Sequence, residues 1–209
     1  MTLLKSKIIG LTKRRNMKIG LLGGSFNPAH EGHVYISKTA LKLLNLDEIW
    51  WLITPQNPLK PAGKPLEKRL KYAKSLVKNN KIRIDAIEKR YKSNYTFNTL
   101  QNVIKQYSGT KFIWLMGADN LNEINKWYNW KNIFKMIPIA VFDRGYYSYT
   151  VFNSIAGKHY FNNLHKTKNS KSIFNTSPPI WTFLHINKNP LSSSKLRNKK
   201  NFLKILNRK

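Results

Sequence analysis

His30 and His33 stand three residues apart in the stretch Gly23-Gly24-Ser25-Phe26-Asn27-Pro28-Ala29-His30-Glu31-Gly32-His33. They are two of the chain's five histidines. On a helix that spacing puts both imidazoles on one face, where they can point at a single anion. Imidazole nitrogens can donate hydrogen bonds to phosphate oxygens or ligate a metal. Zinc is a poor account, because the chain has no cysteine and His-Glu-Gly-His is one residue short of the H-E-x-x-H pattern. A dinucleotide fingerprint also fails, since the glycines do not follow G-x-G-x-x-G. Phosphate handling is the chemistry favoured, against the plainer alternative of a structural glycine turn.

Such residues need a corner to hold them. Lys18-Ile19-Gly20-Leu21-Leu22 reads as a short buried strand, and Val34, Ala40, Leu41 and Leu44 fall near helical spacing after the turn. Asn27 is the expected N-cap, with Pro28 at the first helical position. A strand–turn–helix corner gathers backbone N–H groups at the positive end of a helix, where an anion is favoured. Glycines at 23 and 24 are expected to let a ligand lie against the main chain.

Length and composition bound the rest. A chain of 209 residues with 41% hydrophobic content suits one domain with a substantial core. No apolar run approaches the ~20 residues a membrane-spanning helix requires. The absence of cysteine excludes a disulfide scaffold and thiol chemistry, and fits a cytoplasmic location. Lys and Arg total 38 against 9 Asp and Glu, a formal charge of +29. That balance attracts polyanions. The lysines are scattered rather than gathered in one arm, so the expectation is weak, salt-sensitive adhesion and inward steering of anionic substrates, without specific nucleic-acid binding. The few acids include no Asp-x-Asp pair, so a protein-built two-metal site is not expected, and any Mg²⁺ would be carried by substrate phosphates and water. Residues 1–16 are a basic lead without a secretory cleavage pattern, either a flexible arm or sequence ahead of a start at Met17; residues 17–209 are expected to form the domain.

Along the domain, strands and helices alternate. A second strand over 48–54 is apolar on both faces and runs into Pro55-Gln56-Asn57-Pro58-Leu59-Lys60-Pro61, a stiff loop presenting an amide and a cation at the strand's C-terminal end. A helix is expected over 65–80, with Leu66, Leu70, Ala73 and Val77 inward, then a strand over 81–87. Thr96 stands at or near the cap of the next helix, whose Leu100, Val103 and Ile104 turn inward. Strand 111–116 leads to Gly117 and Asp119, then to Trp127 and Trp130, three apart on one expected helical face. Strand 137–142 ends at Asp143-Arg144-Gly145. A small helix over 151–156, a mobile loop over 159–171, a strand over 180–186 and a terminal helix opened by residues 192–197 complete the reading. The alternation makes this an α/β chain with a parallel sheet and right-handed crossovers.

The stretch Gly-Ser-Phe-Asn-Pro-x-His-x-Gly-His resembles the signature of the nucleotidyltransferase superfamily that carries an (H/T)xGH motif. Leu191-Ser192-Ser193-Ser194-Lys195-Leu196-Arg197 is similar to the superfamily's second signature, ISSTxIR. Residues 55–60, 95–100, 117–130 and Arg144 further resemble the nicotinate-mononucleotide adenylyltransferases within it. The likeness spans most of residues 17–200. It departs at Asn27 and Asn98, where relatives carry Asp, and in the Lys195-Leu196 spacer.

The resemblance implies a single-domain, Rossmann-like doubly wound parallel sheet and an Mg²⁺-dependent transfer of AMP from ATP to nicotinate mononucleotide, as a late step of NAD biosynthesis, by a monomer or small homo-oligomer. It implies that His30, His33 and Arg197 handle the reacting phosphates. ATP would meet Gly24, Ser25, Phe26, Lys60, Gly117, Asp119, Ser193 and Ser194. The mononucleotide would meet Asn57, Thr96, Trp127, Tyr128 and Arg144, with Trp127 stacking on the pyridine ring and Trp130 packed inside. Nicotinamide mononucleotide or phosphopantetheine are the alternative acceptors. A basic nucleic-acid binder that keeps the fold without activity is the reading from another class, and the intact Ser192-to-Arg197 motif argues against it.

Overall fold

The computed structural model describes residues 14–56, 59, 63–91, 93–143, 148–166 and 169–186. Its frame is six strands, β1 (Lys18–Gly24), β2 (Glu48–Ile53), β3 (Ile82–Asp85), β4 (Lys111–Gly117), β5 (Ile139–Phe142) and β6 (Trp181–Leu184). They are all parallel, in the order β3-β2-β1-β4-β5-β6. The chain winds outward from β1 to one edge, returns, and winds from β4 to the other. The reversal therefore falls between β1 and β4, and the crevice at the carboxyl ends of those two strands is where open sheets of this kind bind ligands.

Both faces of the sheet are covered. Ile19, Leu21, Trp50, Leu52, Trp114 and Met116 point into one core cluster, and Leu22, Ile49, Trp51, Ile53, Ile113 and Leu115 into the other. The alternation along β2 is strict, so its near-continuous apolar sequence reflects burial on two sides. Helices α1 (Glu31–Leu43) and α2 (Leu66–Leu76) cover the second cluster. The first is covered by α3 (Ile87–Tyr91), α4 (Thr96–Gln106), α5 (Ala118–Glu123) and α6 (Trp130–Met136), with α7 (Ser148–Asn153) and α8 (Ile155–His159) beyond. Each large side chain so buried contributes about 1.5–3 kcal/mol.

Several expectations are corrected. Helix α1 begins at Glu31 with His30 as N-cap, not at Asn27. Phe26 takes a positive φ of 45° and is driven into the core with Ala29, so the chain completes a wider turn before the helix opens. Helix α2 ends at Leu76, short of residue 80. Strand β3 stops at Asp85, and Ile87 finds its burial from the start of α3 instead of from the strand. Tyr95 is the N-cap of α4, and Thr96 stands next to the cap, as expected, as the first residue of the helix. Trp127 and Trp130 do not share a helix: Trp127 follows a short 3₁₀ turn (Ile124–Lys126), Asn129 adopts a φ of 54°, and α6 opens at Trp130.

The expected small helix over 151–156 is two helices broken at Ser154, whose hydroxyl accepts the Gly157 N–H at 3.0 Å. Much of the segment read as a mobile loop is packed. Tyr160 stacks on Phe134 with ring centroids 4.2 Å apart, and Leu164 bridges to Trp181. Near its end, Ser170 Oγ donates to the Leu43 carbonyl at 2.9 Å.

Candidate active site

The two histidines meet at the end of β1. Their ring centroids lie 3.8 Å apart. The His30 main-chain N–H donates to Nδ1 of His33 at 3.2 Å, closing the first turn of α1 on itself. That bond fixes the tautomer of a neutral imidazole: with Nδ1 accepting, the proton sits on Nε2. His33 also leans on Phe26, centroids 4.7 Å apart, and Phe26 in turn stacks on Trp51 at 4.8 Å and 19°. The Trp51 indole N–H donates to Ser37 Oγ at 2.8 Å, and Ser37 Oγ donates to the His33 carbonyl at 2.9 Å. The histidine pair is thus held by ring packing from one side and by a buried hydrogen-bond chain from the other.

The two glycines at the end of β1 differ. A methyl group on Gly23 would collide with the six-membered ring of Trp114. That glycine makes room for a neighbouring indole, which corrects the expectation that a ligand approaches there. A methyl group on Gly24 would meet only Phe26, at an ordinary 3.4 Å. Asn27, expected to cap the helix, instead accepts the Lys64 N–H on its Oδ1 at 3.4 Å.

Register sets β4 beside the turn, with Leu22 of β1 paired to Leu115. Gly117 ends β4 and is the N-cap of α5, and the partly buried Asp119 lies in the first turn of that helix. A carboxylate in a first helical turn is electrostatically favoured. Trp127 is partly buried and meets Trp114 edge to face, centroids 6.5 Å apart. Tyr128 is 55% exposed and tilts over Tyr95 at 4.9 Å. Trp130 turns away, edge-on to Phe134, Tyr160 and His159. Thr96 is the first residue of α4, beside Tyr95. Asn57, Lys60, Arg144, Ser193, Ser194 and Arg197 lie outside the described residues. Among the described residues no three His, Asp or Glu side chains gather as a metal site.

Two charged groups went unnoticed in the sequence. Arg69, from α2, is 5% exposed and donates to four main-chain carbonyls around the site. Its burial lowers the guanidinium pKa from its usual value. The signal was there: position 69 lies three after Leu66 and four before Ala73, on the apolar stripe of the helix. Glu88, on α3, is 4% exposed, with the hydroxyls of Thr54 and Thr99 beside its carboxyl. Burial pushes its carboxyl up to about 7 despite those two hydroxyls, and Oε2 has no partner.

The cytidylyltransferase-like family model matches residues 21–199. A protein of Methylorubrum extorquens (strain PA1), named "Probable nicotinate-nucleotide adenylyltransferase", is 39% identical over 183 residues, covering 87% of this chain and 99% of that one. One from Ruegeria sp. (strain TM1040), with the same name, is 40% identical over 184 residues, covering 87% and 96%. Among solved structures, the Plasmodium falciparum nicotinic acid mononucleotide adenylyltransferase complexed with NaAD superposes with a TM-score of 0.66 at 19% identity, covering 88% of this chain and 83% of that one. At that identity the superposition speaks for the fold, and the sequence relatives speak for the family. With the matched span and the near-complete coverage of those relatives, the chain belongs to the cytidylyltransferase-like family, among its nicotinate-nucleotide adenylyltransferases.

Proposed function

We infer that the chain transfers the adenylyl group of MgATP to the phosphate of nicotinate mononucleotide, giving nicotinate adenine dinucleotide and pyrophosphate. The observation that carries this is the 39% identity to a relative of that name along 99% of its length. The site's geometry supports it. His30 and His33 stand at the reversal point of the sheet, with Gly24, Ser25 and Phe26 beside them and Gly117 and Asp119 at the end of the neighbouring strand.

The chemistry asks little of the protein beyond placement and charge. An acceptor phosphate is already ionised at neutral pH, so no general base is required. One of its oxygens attacks the α-phosphorus of ATP, the new P–O bond forms as the bond to the β-phosphate bridging oxygen breaks, and pyrophosphate leaves with that electron pair. Positioned donors stabilise the charge that shifts onto the phosphoryl oxygens. His33 Nε2–H is our donor to the α-phosphate, with His30 beside it. Arg197, Ser193, Ser194 and Lys60 are assigned to the β- and γ-phosphates. Asn57, Thr96, Trp127, Tyr128 and Arg144 are assigned to the mononucleotide. A divalent ion would be carried by the phosphates of ATP and by water, and would neutralise part of their charge. The +29 surface steers both anionic substrates inward. No helix among the described residues is long and apolar enough to cross a membrane, and we take the cytoplasm as the site of action.

Pyrophosphate release with MgATP and one acceptor at a time tests the reading. Turnover is expected to be highest with nicotinate mononucleotide, above nicotinamide mononucleotide and phosphopantetheine. His33→Ala should lower kcat by about 10²–10³-fold, as loss of one oxyanion donor does. Turnover with phosphopantetheine alone would overturn the acceptor while leaving adenylyl transfer in place. No turnover with any acceptor would overturn the activity.

A further inference from the structure

Strands β1 and β2 part at the active-site rim, and Arg69 spans the gap. Their ladder ends at Gly24 and Ile53, with a last main-chain bond from the Thr54 N–H to the Gly24 carbonyl at 3.0 Å. One residue further out the two chains diverge and present carbonyl groups. Arg69 Nη1 takes both sides, donating to the Ser25 carbonyl at 2.6 Å and to the Thr54 carbonyl at 2.8 Å. Nη2 donates to the Pro55 carbonyl at 2.6 Å, and Nε to the Lys64 carbonyl at 2.8 Å. A planar guanidinium with five donors in fixed directions can do this. An ammonium, whose donors share a single nitrogen, cannot reach four carbonyls on three segments.

The segments so joined are functionally unlike. Ser25 belongs to the turn that delivers the histidine pair, whereas Thr54 and Pro55 open the loop that leaves β2 toward Asn57 and Lys60. We propose that Arg69 is a positioning residue for adenylyl transfer: by holding Ser25 against Thr54 and Pro55 it sets the separation of the phosphate-binding turn from the β2 loop, and with it the approach of the acceptor to the α-phosphorus. This rests on the functional reading above. A group that fixes a separation acts on the bimolecular geometry more than on either ligand's affinity, and a displacement of about 1 Å can cost ~10²-fold in rate.

The experiment is steady-state kinetics and ligand binding on Arg69→Lys and Arg69→Ala, with hydrogen–deuterium exchange on the same proteins. We expect kcat to fall at least about 30-fold in each variant that folds, while the separate affinities for ATP and for nicotinate mononucleotide move less than about threefold. Millimolar guanidinium should recover at least about tenfold of the lost rate in Arg69→Ala and none in the wild type. If Arg69→Ala does not fold, Arg69→Lys decides the matter. A kcat within threefold of wild type, or a loss that tracks the unfolded fraction, overturns the proposal. Exchange reads the clamp without activity: the amides of residues 25–27 and those of Thr54 and Gln56 should exchange faster together in Arg69→Lys, with β5 unaffected. If exchange is unchanged, or rises on one segment only, the clamp is wrong. If the wild type turns over no acceptor while both segments loosen, the clamp stands and the functional reading fails.

Discussion

Trp51 donates its indole N–H to Ser37 Oγ across 2.8 Å, so the second strand grips the helix that carries His33 from within the core. Both side chains are fully buried, and Ser37 passes the bond on to the His33 carbonyl. Ser37→Ala strands the indole N–H without an acceptor, a loss of about 1–3 kcal/mol. Urea unfolding should show that loss in the wild-type background and markedly less of it with Trp51→Phe, where no donor is left to strand. Equal costs in both backgrounds would mean that the bond contributes nothing to stability.

Gly23 and Trp114 offer a second test, because the ring occupies the space a β-carbon would need. Gly23→Ala forces a buried indole to move, at a cost of about 1–3 kcal/mol. Trp114 meets Trp127 edge to face, so the displaced ring also disturbs the side of the site proposed for the pyridine ring. The expected kinetic signature is a rise in KM for the mononucleotide larger than the rise for ATP. Adding Trp114→Phe, which shortens the ring at the point of collision, should recover part of the stability. A double variant whose cost is the plain sum of the two would refute the steric account. Gly24→Ala meets only an ordinary contact with Phe26 and should leave stability within about 1 kcal/mol.

The aromatic residues assigned to the acceptor separate by burial. Tyr128 is largely exposed beside Tyr95, so Tyr128→Ala should stay within about 0.5 kcal/mol of wild type while raising the mononucleotide KM. Trp127 packs against the core as well, so Trp127→Ala should lose both stability and acceptor affinity, and Trp127→Phe should recover more of the first than of the second. Melting temperature and KM measured on the same preparations decide it. A Tyr128→Ala protein that melts early would show that this ring supports the fold.

What could be read in advance follows from how local each signal is. The alternating apolar strands were legible because burial on both faces leaves an unbroken run such as Ile49-Trp50-Trp51-Leu52-Ile53. The histidine pair was legible because its spacing within one turn is a property of adjacent residues, and the geometry does bring the rings together. The start of α1 was not, because local capping chemistry at Asn27 and Pro28 gave way to burial of Phe26 against Trp51, a contact between residues 25 apart in sequence. Gly23 misled for the same reason, since the ring that needs its space arrives from β4. The 159–171 segment looked formless because its anchors, Tyr160 and Leu164, each pair with a distant element and show no period. Arg69 does carry a local signal: an arginine on the apolar stripe of α2 is either a mismatch or a buried donor.

Glu88 sets a pH dependence whose sign is fixed by its burial. Its carboxyl is raised from 4.5 to about 7 in the fold, so between those values the folded chain keeps a proton that the unfolded chain has released. By linkage, stability then falls as pH rises through that window and levels off above it, a change on the order of 3 kcal/mol from this one group. Glu88→Gln keeps the size and shape of the side chain but cannot ionise. The stability of Glu88→Gln relative to wild type should therefore improve from pH 5 to about pH 7 and level off above it, and the contributions of the other carboxylates cancel in that difference. Chemical denaturation at half-unit pH steps measures it. A flat difference across the window would show that Glu88 ionises in the fold as it does in the open chain.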